Sequence, residues 1–133
     1  MKTIDIAPSQ WGHFCERLTE FHHGALIDLQ IEEPDGGSRV VLTEGALRSM
    51  VFQRQTGHCS DLILIEIDGP GDRGLRQQQV VEPIHIRLKD GKNNRYNHIH
   101  ILAESGNNIV TMRPGLDPKL ANEFSAANQT PAR

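Results

Sequence analysis

The chain has 133 residues, of which 37% are hydrophobic and 23% charged, and its formal net charge is −3. This length predicts a single domain (1–133) that can bury a core without disulfides or a structural metal. We expect a core over residues 4–113 and a C-terminal extension over 114–133. A protein that neutralises many phosphates needs a basic surface, so the acidic balance argues against nucleic acid as a partner.

Cysteine usage and the N-terminus bear on the cellular compartment. The two cysteines, Cys15 and Cys59, match no C-x-x-C spacing, which favours a reducing environment. The opening MKTIDIAPSQW carries neither a long apolar run nor an A-x-A cleavage signal. No segment approaches the roughly 20 apolar residues of a membrane span. We therefore expect a cytoplasmic protein with no membrane partner.

The first predicted element is an amphipathic helix. Ser9 is a candidate N-cap, because its hydroxyl can accept a hydrogen bond from a free amide, and Gly24 is placed to end the helix in the left-handed conformation. The apolar residues fall on one stripe at helical spacing: Trp11, Phe14, Cys15, Leu18 and Phe21. This stripe is expected to lie in the core, with Trp11 as an anchor and Cys15 as a small core residue.

After Gly24 the apolar period changes from about 3.6 to 2, which predicts strands. The segment 62–68 is the strongest strand, and the polar segment 75–81 is a candidate edge strand. Ile84 is expected to share the buried face with Ile86 and Leu88. The other predicted strands cover 27–32, 40–42, 47–53, 83–89, 97–103 and 109–113, separated by the loops or turns EPDGGS, TGHCS, GPGDRG and SGNN.

These strands follow one another through short turns without crossover helices, which favours antiparallel pairing. The expected fold class is therefore α+β and mostly β, with the N-terminal helix packed on an antiparallel meander or half-barrel. A short C-terminal helix is also predicted. Asp117 is its N-cap candidate, Pro118 suits its first position, and Leu120 and Phe124 share one face.

Four stretches carry a resemblance when taken in order. They are Trp11-x-x-Phe14, His23-Gly24 at the start of a strand, PIHIRL at 83–88 and AESGNNIVTM at 103–112. Over about residues 4–113 they resemble a bacterial family of small domains of unknown function. The resemblance implies no activity, since that family has none established. The paired His98 and His100 and the tail after Pro114 depart from its pattern.

The histidines are the main candidate site. His98 and His100 project to the same face of a strand, and His85 lies on the polar face of the preceding strand. One hairpin register that keeps both apolar sets inside places His85 opposite His100 and Arg87 opposite His98. Three imidazoles would then cluster, with Glu104 nearby, as ligands for zinc, nickel or iron.

Two observations weigh against that metal site. The cupin pattern needs a glycine at another spacing and a later histidine, and no histidine follows His100. Histidine is also an ordinary residue on a solvated strand face, and the cations Arg87 and Lys89 would repel a metal ion. The alternative is that the histidines are polar residues of the outer face.

The glycine-rich loop after the strongest strand is a weaker candidate. Gly69, Gly71 and Gly74 satisfy G-x-G-x-x-G, but no crossover helix follows, so a nucleotide site is not favoured. The same loop, with Asp72 and Arg73, is a candidate partner contact, because loops on a rigid scaffold often bind partners.

Two further patterns could carry catalysis. Cys59 beside His58 is a candidate reactive thiol, but no third group that would orient the pair is apparent in the sequence. Glu66 and Asp68 form a candidate acid pair on one face of a strand, although their position also fits the place where that strand leaves the core. Catalysis through these residues is not favoured.

The leading functional hypothesis is a non-catalytic binding module that needs no cofactor. Its partner would be another protein or a second copy, paired through an exposed edge strand. The alternative is a metal-binding protein or cupin-like metalloenzyme that uses His85, His98, His100 and Glu104. A third possibility is a small-molecule site at the open end of a curled sheet.

Overall fold

The computed structural model describes residues 3–54, 60–69, 74–90 and 95–125. Within these ranges the chain forms a single eight-stranded sheet and two α-helices. The elements in chain order are β1 Thr3–Ile6, a 3-10 turn at Pro8–Gln10, α1 Trp11–His22, β2 Leu26–Glu32, β3 Ser38–Gln53, β4 Leu62–Asp68, β5 Leu75–Val81, β6 His85–Asp90, β7 Tyr96–Ala103, β8 Gly106–Arg113 and α2 Pro118–Glu123.

The sheet is antiparallel throughout its described strands, in the order β1-β6-β7-β8-β2-β3-β4-β5. Two meanders, β2 to β5 and β6 to β8, are joined by pairing between β8 and β2. This confirms the predicted α+β, mostly β fold class. It also confirms that residues 75–81 form an edge strand, because β5 ends the order.

The sheet is curled. Gln78 on β5 donates a hydrogen bond through Nε2 to Asn108 Oδ1 on β8, at 3.1 Å, although three strands separate β5 from β8 in the sheet order. The concave face carries the alternating Ile, Leu, Val and Met residues of the strands, and these residues form one core with the two helices. The curl matches the half-barrel form of the prediction.

Helix α1 packs its predicted stripe into this core. Trp11, Phe14, Cys15 and Leu18 are buried, and Trp11 Nε1 donates to the Ile6 carbonyl at 3.0 Å. Gly24 has φ +87°, which confirms its left-handed role after the helix. The predicted N-cap at Ser9 is wrong, because Pro8 starts a 3-10 turn that contains Ser9, and Gln10 takes the cap position without a side-chain hydrogen bond.

The long strand β3 combines the segments 40–42 and 47–53, which the sequence pattern treats as two strands. Its first half pairs with β2 and its second half with β4. Along that second half, α1 lies where a further strand would be. The Thr19 hydroxyl accepts from Met50 N–H at 3.0 Å and donates to the Met50 carbonyl at 3.1 Å.

Helix α2 docks on the same core, as the sequence predicted. Asp117 caps it by accepting a hydrogen bond from Lys119 N–H at 2.8 Å, and Leu120 and Phe124 are buried. Phe124 also meets Phe14 of α1 edge to face, with ring centroids 5.2 Å apart. Leu116, Leu120 and Phe124 therefore belong to the core.

Two local expectations are corrected, and one strand was not predicted. Ile84 is 47% exposed, because β6 begins one residue later, after a turn in which Glu82 has φ +52°. The β7–β8 turn consists of residues 104–105, since Ala103 already pairs with Gly106. Strand β1 was not predicted, although its Ile4 and Ile6 are buried.

No helix in the described ranges is long and apolar enough to cross a membrane.

Candidate functional site

His98 and His100 lie side by side on the outer face of β7. Ile99 and Ile101 between and beyond them point into the core, so the predicted alternation is confirmed. The two imidazole centroids are 6.4 Å apart. His98 Nδ1 lies 3.1 Å from the Thr111 hydroxyl on the neighbouring strand β8.

The β6–β7 register separates His85 from this pair. Arg87 lies opposite His100, Lys89 opposite His98, and His85 opposite Leu102. This register keeps the apolar residues inside, but it differs by two residues from the one that would oppose His85 and His100. Apolar alternation could not choose between the two registers, because a two-residue shift leaves every side chain on its own face.

The environment of His100 favours its neutral form. Burial is the main cause that lowers the pKa of His100 to about 4; the nearby Lys89, His98 and Arg87 act in the same direction, and Glu32 opposes them. The Asn107 side-chain amide lies 2.9 Å from His100 Nδ1 and 3.0 Å from Glu32 Oε1. An amide nitrogen that donates to both leaves Nδ1 as an acceptor, so the ring proton sits on Nε2.

The other predicted metal ligand lies apart from the pair. Glu104 is exposed in the β7–β8 turn, four residues from His100, which is about 13 Å along an extended strand. Among the described residues, no three His, Cys, Asp or Glu side chains are grouped to hold a metal ion. Metal binding by His85, His98, His100 and Glu104 stays a prediction.

The candidate partner-contact loop is described only at its ends. Gly69 N–H donates to the Gly74 carbonyl at 2.9 Å, and Gly74 has φ +74°. Gly71, Asp72 and Arg73 lie outside the described residues, as does Cys59. The carboxylates of β4 are engaged on the outer face: Ser49 donates to Glu66 at 3.1 Å, and Arg48 lies 3.5 Å from Asp68.

The free edge of β5 is the second candidate site. Gly69–Gly74 and Asp61–Glu82 are hydrogen-bonded pairs at the two ends of the β4–β5 ladder. Hydrogen-bonded pairs alternate along an antiparallel ladder, so Arg76, Gln78 and Val80 bond to β4. The backbone N–H and C=O groups of the remaining residues therefore face away from β4, namely those of Leu75, Gln77, Gln79 and Val81.

Apolar side chains adjoin this edge on the outer face. Leu62 lies beside Val81 in the β4–β5 register, and Leu64 lies beside Val51 in the β3–β4 register. Val81 is 50% exposed and Val51 is 42% exposed, whereas Leu62 and Leu64 are partly covered. We call these four residues, Val51, Leu62, Leu64 and Val81, the edge patch.

Comparison of the chain with protein-family models, curated proteins and solved structures found no match. The resemblance to a bacterial family of unknown function therefore stays a prediction.

The opposite edge of the sheet differs from β5. The described part of strand β1 has four residues and carries Asp5, whose carboxylate lies 3.6 Å from Arg87 Nε. Short length and charged side chains are features that protect an edge from pairing with another chain. The described part of β5 shows seven residues without a bulge or proline, and its only charged side chain is that of Arg76.

The sequence predicted the β5 edge but not the edge patch. A signal for the patch was present, because Leu62 and Leu64 occupy the same face as Glu66 and Asp68 in a strand whose other face is entirely Ile. A strand whose two faces are both apolar is normally buried on both faces by other parts of a protein. On β4 the described chain covers only the concave face fully.

Proposed function

We propose that the protein is a non-catalytic binding module that receives an extended strand along the free edge of β5. The observation that supports this is the edge itself, which has four outward-facing backbone positions at alternate residues. The end of the edge that carries Gln79 and Val81 borders the edge patch. Strand addition at an exposed edge takes its affinity from main-chain hydrogen bonds and its specificity from the flanking side chains. The predicted cytoplasmic location stays a prediction.

The chemistry of β5 suits a neutral, apolar-flanked strand. Its outward-facing residues carry two glutamines at the centre and apolar side chains at the ends, Leu75 and Val81, each 50% exposed. Each backbone hydrogen bond contributes about 0.5–1.5 kcal/mol net, and covering a Leu or Val side chain adds about 1–2 kcal/mol. A paired strand would therefore bind with measurable, moderate affinity.

A labelled peptide tests the proposal. The probe is a soluble strand of alternating Val and Thr with a Lys at each end, and a helix-forming Ala-Lys peptide of the same charge is the control. We expect the amide signals of Gln77 and Gln79 to shift on adding the strand peptide, with saturable binding. No shift at about 1 mM peptide, equivalent to about −4 kcal/mol, would overturn the proposal.

A matched pair of proline variants separates binding from folding. The Gln79 N–H faces the free edge, so Gln79→Pro removes an outward donor and leaves the β4–β5 ladder intact. The Gln78 N–H bonds to β4, so Gln78→Pro breaks the ladder and should destabilise the fold. We expect Gln79→Pro to lose peptide binding and remain folded by circular dichroism, while Gln79→Ala retains both.

Metal binding is the second candidate function. It is favoured by one observation, the placement of His98 and His100 on one face with ring centroids 6.4 Å apart. The Asn107 contact opposes it at His100, because a proton on Nε2 blocks that nitrogen as a ligand. Elemental analysis of untagged protein would test it: stoichiometric zinc, nickel or iron that is lost in the His98→Ala, His100→Ala double variant supports it, and the His85→Ala variant is the control.

A further inference from the structure

We infer that the strand that pairs with β5 is β5 of a second copy of this chain. The inference rests on the proposed function and names its partner. It follows from the self-complementary order of side chains along the edge. The outward-facing residues read Leu, Gln, Gln, Val, and in antiparallel order this places apolar against apolar and amide against amide.

One register uses the whole strand. A two-fold axis at Gln78 places Gln77 opposite Gln79 of the second copy and Leu75 opposite Val81 of the second copy. All four outward-facing positions on each strand then form hydrogen-bonded pairs, giving roughly eight hydrogen bonds. A shift by two residues in either direction leaves one of these positions on each strand unpaired. The closed, isologous contact generates a dimer rather than a fibre.

The side chains agree with this register. Leu75 and Val81 are each half exposed in the single chain, and each would cover the other across the axis at both ends of the paired strands. Leu62 of the edge patch adjoins Val81, so the apolar contact extends from the edge onto β4. On the concave side, Arg76 falls opposite Val80 of the second copy, so no like charges are directly opposed.

The size of the contact sets the expected affinity. Seven paired residues extend over about 24 Å, which is small compared with the interfaces of permanent dimers. We therefore expect a reversible dimer with a dissociation constant in the micromolar range, on the order of −7 to −8 kcal/mol. Sedimentation velocity on the full chain between about 5 and 300 μM should show a monomer–dimer equilibrium across that range.

Cysteine pairing tests the register itself. In a Cys59→Ser background, one preparation carries Gln77→Cys and the other carries Gln79→Cys, and the two are distinguished by mass. Cys15 can remain, because burial raises the pKa of its thiol to about 12. Directly opposed residues of a hydrogen-bonded pair have Cα atoms about 5.5 Å apart, within the range that a disulfide spans.

The expected product under copper–phenanthroline oxidation is the mixed dimer, in which one Gln77→Cys chain is joined to one Gln79→Cys chain. Two Gln77→Cys chains, or two Gln79→Cys chains, would have Cα atoms about 9 Å apart, too far for a disulfide without movement. Preferential mixed dimers, at least about tenfold over either homotypic product, support the register. Homotypic dimers in equal or greater yield overturn it.

The failures of the two proposals are distinguishable. A strict monomer at about 300 μM, combined with peptide-induced shifts at Gln77 and Gln79, overturns the second copy and leaves the edge as a binding site. A monomer without peptide binding overturns both. Gln79→Pro should abolish the dimer, whereas Lys119→Ala, an exposed change on α2, should leave the dissociation constant unchanged.

Discussion

At the scale of single residues, the outer face of β7 shows how neighbours set the protonation of a histidine. Burial and the Lys89 cation both disfavour a charged His100, and the Asn107 amide holds Nδ1 as an acceptor. The sequence placed His98 and His100 on one face. It gave no sign of Asn107, because that contact depends on the β7–β8 register.

We expect His100 to stay neutral down to pH about 4. Its folded-state pKa lies below the ordinary value of 6.5, so the folded state binds fewer protons than the unfolded state between these values. The stabilising contribution is complete above pH 6.5 and decreases as the pH falls towards 4. After solvent screening the loss should be about 1–2 kcal/mol. NMR titration of the His100 ring protons measures the pKa directly.

Replacing Lys89 provides the check. Lys89→Met should raise the pKa of His100, because it removes a nearby positive charge, and Lys119→Met should leave it unchanged. A His100 pKa of 6 or above in the unmodified protein would contradict the assignment. The pH dependence of stability cannot by itself report on His100, because burial also lowers the pKa of His22. His22 therefore adds its own loss of stability as the pH falls, and only titration of the His100 ring separates the two.

At the scale of elements, β3 depends on the irregularity that joins its two halves. Glu44 has φ +54° and its N–H donates to Asp28 Oδ1 at 2.8 Å, while Gly45 lies buried beside it. A Cβ at Gly45 would lie 2.5 Å from Leu42 Cδ2 and 2.6 Å from Ile67 Cγ2. A side chain at residue 45 would therefore be crowded where β3 passes from β2 to β4.

We expect Gly45→Ala to lower the free energy of unfolding by about 1–3 kcal/mol, as overpacking of a filled core does. Gly12→Ala is the matched control, because it lies within α1 and its new methyl group would make an ordinary 3.8 Å contact with Phe52. It should raise the free energy of unfolding by about 0.5–1 kcal/mol through helix propensity. Urea unfolding measures the change in the free energy of unfolding for each variant. An unchanged midpoint for Gly45→Ala would show that residue 45 can accept a methyl group without overpacking.

At the scale of the whole molecule, the curl brings β5 and β8 into a polar contact across the concave face. Asn108 is buried, and its side-chain oxygen accepts from Gln78 across the concave face. A buried polar group that loses its partner retains the cost of its desolvation. The contact therefore helps hold β5 over β8.

A double-mutant cycle should show this coupling. We expect Asn108→Ala and Gln78→Ala each to lower the free energy of unfolding by about 1–2 kcal/mol, and the double variant to lose less than their sum by about 1 kcal/mol. Gln77→Ala, an exposed change one residue away, is the control and should alter stability by less than about 0.5 kcal/mol. Additive losses would show that the curl does not depend on this pair.

The sequence by itself determined most of the residues that face the core and most of the elements. Apolar spacing identified α1, the strands and α2, and the polar composition of 75–81 identified an edge strand. These are local properties, since a period of 3.6 or 2 is written along the chain. The short strand β1 was missed because four residues carry too little periodicity.

Only the tertiary structure decided which strands are neighbours and in which register. Alternation fixes the face of a side chain but not its partner, because a two-residue slip preserves every face. For that reason the sequence could place His98 and His100 together but not His85 relative to them. The pairing of β8 with β2 and the position of β5 at the end of the sheet arise from contacts between distant segments. Among the described residues, no strand pairs with the second side of β5.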